Sequence, residues 1–395
     1  MNAPPATLVA LLERLVNDVA NQSPQTGAGG PGIPVEHYFS EERLAQERRS
    51  LFRHYPLIVG HSSQLDQPGT VLRHDALGLP VLITRDAAGK VHALLNVCRH
   101  RGMRLVEEQG ACPRKTIVCP YHGWTYELDG KLRHAPHAET FPGLQPADTH
   151  LASLPCEVRD GLIWVLPTPG ATLDLDTYLG PINQELAYFG LDDATLYNCV
   201  DVVRHANWKL VIDAFLEAYH IRVLHRDTIY PFFLDAMAVS DSVGPHLRSA
   251  AARRRITEAA NIPREQWDLR EHCTYTHFIF PNTVLIFHPD YTSQISVFPV
   301  DGDHLRWVHH MLVPRREHTP ERQPHWEKTL NLIENTVFQR EDLYAAEGIQ
   351  AGLRSGANQV LRTGRLEYTL RIFHDNIQKA IENVGGEKSR LGESV

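Results

Sequence analysis

Two short sets of sulfur and nitrogen donors, Cys98-Arg99-His100 and Cys119-Pro120-Tyr121-His122, lie eighteen residues apart. Each set closes within one tight loop, so both can reach a single metal centre. Two thiols and two imidazoles suit either a tetrahedral zinc or a [2Fe–2S] centre with both Cys on one iron and both His on the other. A lone Cys or His is usually a packed or exposed residue, so the spacing is what makes these four a set. A second group of candidates lies in NWKLVIDAFLEAYHIRVLH, residues 207–225. The usual cage for non-haem iron(II) is two His and one carboxylate with open positions beside them. At about 100° per residue, Asp213, Glu217 and His220 fall within roughly 60° of one another on a helix. His225 would point about 140° away from His220 on that helix, so a break is expected near Ile221 to Leu224. Such distortions concentrate at functional sites.

The flanks favour the cluster over zinc. The first loop continues Arg101-Gly102-Met103-Arg104-Leu105 and the second Gly123-Trp124-Thr125-Tyr126, with Asp129-Gly130 beyond. CRHRG…CPYHGWTYELDG resembles the Rieske domain of non-haem iron ring-hydroxylating oxygenases, the gap between the sets being slightly lengthened around Cys112-Pro113. The resemblance implies a [2Fe–2S] cluster on Cys98, His100, Cys119 and His122. Residues 207–225 are similar to the catalytic segment of the same family. That likeness implies His220 and His225 as ligands of a mononuclear Fe(II). Glu217 takes the place of the family's bridging carboxylate, commonly an aspartate, which links His122 of one chain to His220 of the next. Glutamate there also resembles the branch acting on quaternary ammonium compounds. Asp213 stands where many members have Asn near the iron; its plainer reading is a helix-surface acid. Gln339-Arg340-Glu341-Asp342-Leu343, followed by Glu347 and Gln350-Ala351-Gly352-Leu353, looks like the family's late carboxylate helix. It implies Asp342 as third ligand with Glu341 as runner-up, although by spacing alone a Glu-Asp pair reads as a solvated face.

The elements that must hold these residues change character along the chain. Leu8, Leu11, Leu12, Leu15, Val16 and Val19 form a helical apolar stripe. Gly27 to Gly32 satisfies G-x-G-x-x-G, but no strand precedes it and no helix opens from it, so a flexible linker is the better reading. Ser40 caps a second helix with Glu41 and Glu42 in its first turn. From about Leu57 short β-branched runs separated by turn signals predict strands at 81–85, 91–97, 116–119, 124–128 and 162–166. Beyond Pro167 to Gly170 the pattern predicts a helix over 179–191 and a strand over 197–203. A loop-rich middle follows, then strand-like runs at 275–287, 293–300 and 305–313, and two long helices over 322–355 and 369–384. The expected class is α+β: residues 1–35 as helix and linker, 36–170 as a small antiparallel β Rieske domain with its leading helix, and 171–395 as a larger helix-and-antiparallel-sheet catalytic domain. Pocket residues are expected from 226–290, where Tyr230, Phe232 and Phe233 suit either a pocket or the core. His309 and His310 alternate across a strand, so at most one of them is expected inside. Trp208 reads as a core anchor.

At 395 residues the chain can bury a core without a metal staple, so a metal signature points to chemistry. With 39 basic against 47 acidic residues and a net charge of -8, a nucleic-acid surface is excluded. The basic run Arg253-Arg254-Arg255 reads as a solvated helix face. No apolar run is long enough to span a membrane and no secretory signal is evident. Cys112, Cys156, Cys199 and Cys273 read as free thiols, so the expectation is a cytoplasmic protein. The resemblance implies a terminal oxygenase component that uses O₂ to hydroxylate an aromatic substrate. Its electrons come from a separate reductase, directly or through a ferredoxin, with NADH or NADPH as ultimate donor. A head-to-tail homotrimer is implied, with or without a small β subunit. The alternatives are oxidative demethylation of a quaternary amine or aryl ether and, in another class, a non-catalytic electron carrier or zinc-stabilised binding protein.

Overall fold

In the computed structural model, which describes residues 3–392, the chain divides into two compact units, Phe52–Leu175 and Met1–Leu51 with Asp176–Val395. The smaller unit is antiparallel β. Val81–Arg85 and Val91–Leu95 pair as the expected hairpin at the centre of a five-stranded sheet that also takes Thr70–His74, Ala111–Pro113 and Ser153–Leu154. Cys156–Arg159, Leu162–Val165 and Leu57–His61 form a second sheet. Ile117–Val118, Thr125–Tyr126 and Leu132–His134 form a third. Val71, Leu82, Leu94, Ile117, Trp124 and Tyr126 meet in its core, and Cys98 and Cys119 belong to the same buried cluster.

The larger unit is built on a seven-stranded antiparallel sheet. Its order is Ala194–Arg204, Leu305–Pro314, Thr292–Pro299, Thr283–Phe287, Cys273–Ile279, His246–Arg253 and Phe233–Val243. The sheet is covered on both faces, which corrects the expectation for His309 and His310. Both are buried, His309 between Glu334 at 2.6 Å and Ser293 at 3.1 Å. The last two strands of the sheet fall in the supposed loop-rich middle. They are rich in Ala and Ser, which carry no β-branched signal. Arg253 ends one of them, so Arg253-Arg254-Arg255 is not a helix face, although Arg254 and Arg255 are exposed.

The N-terminal helix Ala6–Ala20 packs through Leu8, Leu11, Leu12 and Leu15 against those two strands. Ser40 caps Glu41–Ser50 through the Arg43 N–H, and that helix packs on the C-terminal helix Tyr368–Gly392. The leading helix therefore sits in the larger unit, not in the cluster domain to which the 36–170 boundary assigns it. A buried pair, Lys209 Nζ to Glu47 Oε2 at 2.9 Å, and Trp208 Nε1 to the same oxygen at 3.0 Å fasten it.

Glu185 pins the N-terminal helix to the sheet. Its carboxylate accepts from Thr7 Oγ1 at 2.6 Å and His277 Nε2 at 2.7 Å, and it pairs with Arg248. Burial raises its pKa, but the His277 and Thr7 hydrogen bonds and the neighbouring positive charges more than offset this and hold it below the ordinary value. Its contribution to stability is therefore present above pH 4.5 and is lost as pH falls below that value towards the folded-state pKa. Glu185→Gln should cost about 3 kcal/mol at pH 7 and flatten the acid limb of a melting-temperature profile taken from pH 7 downward; an unchanged acid limb would remove the role given to Glu185.

Candidate metal centres and substrate cavity

The two cluster loops have the same internal bonding. The Cys98 N–H donates to Met103 O at 2.8 Å and Cys98 O accepts from Gly102 N at 2.9 Å; Cys119 N–H donates to Trp124 O at 2.8 Å and Cys119 O accepts from Gly123 N at 3.0 Å. Gly102 and Gly123 both take left-handed backbone, with φ of 76° and 73°. A glycine four residues after each Cys thus closes the turn at no steric cost. Both Cys are 2% exposed, whereas His100 and His122 lie toward solvent. The two imidazoles face each other Nδ1 to Nδ1 at 3.1 Å, and His100 stacks on Trp124 at 5.0 Å. Tyr126 Oη sits 3.3 Å from Cys98 Sγ and accepts from the Arg99 N–H at 3.0 Å. Paired buried thiols with paired outer imidazoles, both Nδ1 atoms aimed at one point, fit an inner iron held by sulfur and an outer iron held by nitrogen.

In the larger unit His220, His225 and Asp342 each offer one ligand atom, and those atoms all lie within 4.8 Å of one another. Asp342 Oδ1 is 3.1 Å from His225 Nε2 and 3.8 Å from His220 Nε2. The far ring nitrogens are fixed by carboxylates. His220 Nδ1 bonds Glu217, and His225 Nδ1 bonds Glu341 Oε2 at 2.7 Å, an oxygen that also accepts from Thr228 Oγ1 at 2.9 Å. Such outer carboxylates set the tautomer and turn Nε2 toward a metal. Glu341, the runner-up ligand, is therefore brought in as the partner that orients His225; Thr228 was not foreseen. Burial lowers the His225 pKa, but Asp342 and Glu341 overcome this and hold it above the ordinary value. Three carboxylates around two imidazoles thus attract positive charge at this point, as a divalent cation would supply.

The helix Trp208–Phe215 ends earlier than the periodicity predicts. Leu216 closes it, and the Glu217 carboxylate accepts from the backbone N–H groups of Tyr219 and His220, starting a new turn. The break therefore precedes His220, and Ile221–Leu224 is itself a short helix. Asp213 stays on the first helix and faces away from the cavity, buried between Tyr38 Oη at 2.7 Å and His374 Nε2 at 2.9 Å. It is not a surface acid; its carboxylate ties the helix to two distant segments. The expected late helix has a π-helical centre, Asn331–Asp342, between Gln323–Leu330 and Leu343–Leu353. Its wider turn carries Ile333, Val337, Phe338 and Asp342 to the cavity while Glu334 reaches His309 on the sheet.

A cavity of about 400 Å³ opens beside His220, His225 and Asp342. Its floor is the sheet, where alternate residues share a face: Ala238, Ser240, Ser249, Ala251, Thr274 and Thr276 line it. The register pairs Ala238 with Ala251, Ser240 with Ser249, Ser249 with Thr276 and Ala251 with Thr274. The space exists because these side chains are small. Phe232 and Phe233 line it as one expected reading had it, but the walls extend beyond 226–290 to Phe215, Leu216 and Phe338. Ala251→Leu should fill the floor, reducing substrate-stimulated O₂ uptake more than about 10-fold with iron content unchanged; retained uptake would show that substrate sits elsewhere.

The family profile described as "Rieske [2Fe-2S] domain" matches residues 56–155, and "Ring hydroxylating alpha subunit (catalytic domain)" matches 191–383. The carnitine monooxygenase oxygenase subunit of Escherichia coli K12 is 26% identical over 368 residues, covering 89% of this chain and 94% of that one. The glycine betaine monooxygenase oxygenase subunit of Chromohalobacter salexigens is 34% identical over 210 residues, 51% of this chain and 44% of that one. The fold is shared with a quaternary ammonium Rieske monooxygenase in complex with L-carnitine (TM-score 0.75, 22% identity, 88% and 94% coverage). It is also shared with naphthalene 1,2-dioxygenase from Rhodococcus sp. (TM-score 0.73, 20% identity, 95% and 98% coverage). With both profiles matched in order on an α+β chain, this is the alpha, terminal oxygenase subunit of a Rieske non-haem iron oxygenase, an enzyme of the ring-hydroxylating family that carries a [2Fe–2S] cluster and a mononuclear iron.

Proposed function

We propose that this oxygenase oxidises a small quaternary ammonium compound, the His220, His225 and Asp342 triad being its iron site and Cys98, His100, Cys119 and His122 its cluster ligands. The observation that carries the substrate reading is Glu217. It occupies the bridging position as a glutamate and bonds His220 Nδ1, and relatives matched over more than four-fifths of this chain are named for carnitine or choline. Phe215 and Phe338, 5.8 Å apart and both on the cavity wall, offer ring faces that attract a quaternary cation. Iron(II) on two imidazoles and one carboxylate keeps open positions for O₂. Around it, Glu217 and Glu341 hold the imidazoles in one tautomer, and the apolar wall limits water. A second reading, hydroxylation of an aromatic substrate, is favoured by that same wall of Phe215, Leu216, Ile333, Val337 and Phe338.

Electrons come from a separate reductase or ferredoxin, as in the family. We further infer a head-to-tail homotrimer in which Glu217 meets His122 of the next chain. In support, Tyr219, Val223 and Tyr344 near the triad are 62%, 79% and 68% exposed, and Tyr121 beside His122 is 55% exposed. No helix among the described residues is long and apolar enough to cross a membrane, and the six cysteines are unpaired, which fits a cytoplasmic location. The test is O₂ uptake with a surrogate reductase and NADH or NADPH. Glycine betaine and carnitine should stimulate it and benzoate should not; stimulation by aromatic acids alone would transfer the assignment to the second reading. Purified protein should hold about three irons per chain; about two would leave only a carrier, and zinc a binding module.

A further inference from the structure

The cavity contains one guanidinium without an acidic partner. Arg253 lies on the floor face with Ala251 and Ser249, two and four residues back along the same strand. It is half-buried, and Phe232 and Phe233 pack against its guanidinium at 5.9 and 5.5 Å. Its side-chain hydrogen bond among the described residues runs from Nη1 to Thr274 Oγ1 at 3.3 Å, and it makes no ion pair there. The other charges on the wall are placed differently: Asp290 pairs with His325 at 2.6 Å, Glu217 and Asp342 belong to the metal site, and Lys328 is exposed to solvent. A cation drawn out of water without an ion pair is costly, and burial lowers the Arg253 pKa by more than the nearby charges of Glu271 and Asp290 raise it.

His288 supplies the second observation. It lines the same cavity, its Nε2 is buried with no hydrogen-bond partner, and its ring is stacked on Tyr291 at 4.1 Å. Burial and the charges of Arg253 and Arg270 hold it well below the ordinary imidazole range, so it is neutral and can donate one N–H. A planar donor fork with no ion pair among the described residues and a neutral imidazole with a free Nε2, both lining one cavity, match a planar, singly charged anion.

We propose that Arg253 is the specificity-determining residue of this oxygenase, receiving a carboxylate of the substrate with His288 Nε2 as a second polar contact. The substrate is then a small carboxylic acid whose other end faces the His220, His225 and Asp342 triad. The inference rests on that cavity being the substrate site, but not on which group is oxidised. A betaine and an aromatic acid both satisfy it, whereas choline, a quaternary amine alcohol without a carboxylate, or a hydrocarbon does not.

Binding to the holoenzyme under anaerobic conditions, measured by calorimetry, tests it with two matched pairs: glycine betaine against choline, and benzoate against benzyl alcohol. The carboxylate member of at least one pair should bind to wild type at least about 30-fold more tightly than its carboxylate-free partner. Arg253→Gln should remove that preference and weaken the carboxylate-free member by no more than about 3-fold, while Arg253→Lys should restore part of it. Cluster absorbance and iron content of the variants establish that they are folded and loaded. Carboxylate-free members binding as tightly as acids, equal losses for both members in Arg253→Gln, or no acid binding to wild type would each overturn the proposal. Because the readout is binding without turnover, absence of O₂ uptake with all four compounds would count against the proposed function alone.

Discussion

Asp342→Ala is expected to abolish turnover and empty the mononuclear iron site while the cluster keeps its absorbance and its electron paramagnetic resonance signal. Asp342 is 6% exposed and its Oδ1 stands within 4 Å of both imidazole Nε2 atoms, at 3.1 and 3.8 Å. Losing an outer partner of a metal ligand typically costs 10–100-fold in affinity or activity. Removing an inner carboxylate should exceed that, giving a loss of more than about 100-fold. It also leaves the two imidazoles without the anion that helps hold a divalent ion. Iron should fall from about three to about two per chain. Retention of the third iron in this variant would refute Asp342 as a ligand. Glu341→Ala separates the two neighbouring acids. Glu341 reaches His225 Nδ1 and Thr228, not the Nε2 side, so its loss should weaken iron binding 10–100-fold without abolishing it.

Glu217→Gln is expected to lower turnover about 10–100-fold with both iron content and cluster absorbance retained. The carboxylate has two local duties: it accepts from the Tyr219 and His220 N–H groups to start the new turn, and it bonds His220 Nδ1. Glutamine keeps an acceptor oxygen for these but lacks the negative charge that fixes the tautomer and, in the proposed trimer, would accept a second hydrogen bond from His122 of the adjacent chain. The discriminating measurement is reoxidation of the reduced cluster in the presence of substrate and O₂, followed by absorbance. If Glu217 only shapes the loop, this rate stays at the wild-type value in Glu217→Gln. If it bridges subunits, the rate falls in step with turnover, and Glu217→Asp recovers part of it.

What was legible in the sequence follows from how local each constraint is. The cluster set lies within 25 residues, Cys98 to His122, and each turn is written in a Cys and a glycine four positions on. Spacing and flanks therefore carried it. His220 and His225 are also close in sequence, but the path between them is not: the helix was expected to break after His220, and it breaks before. The cause is Glu217 accepting two backbone donors, a competition between side chain and helix that periodicity does not register. Asp342 lies 117 positions beyond His225, and only a likeness to known oxygenases singled it out of a charged helix.

The sequence by itself determined the chemistry: two thiols with two imidazoles in glycine-closed loops, a His pair after an acidic helix, a late acidic segment, and the β and α+β character of the units that carry them. Only the tertiary structure decided which acid does what. The π-helical turn sends Asp342 to the imidazole Nε2 side and Glu341 to His225 Nδ1, and the early helix end leaves Asp213 between Tyr38 and His374. The substrate cavity was the least visible part, because its floor is made of alanine, serine and threonine. Side chains small enough to leave a void give a weak strand signal, and so Arg253 at the end of that floor read as a surface charge until the sheet turned it inward.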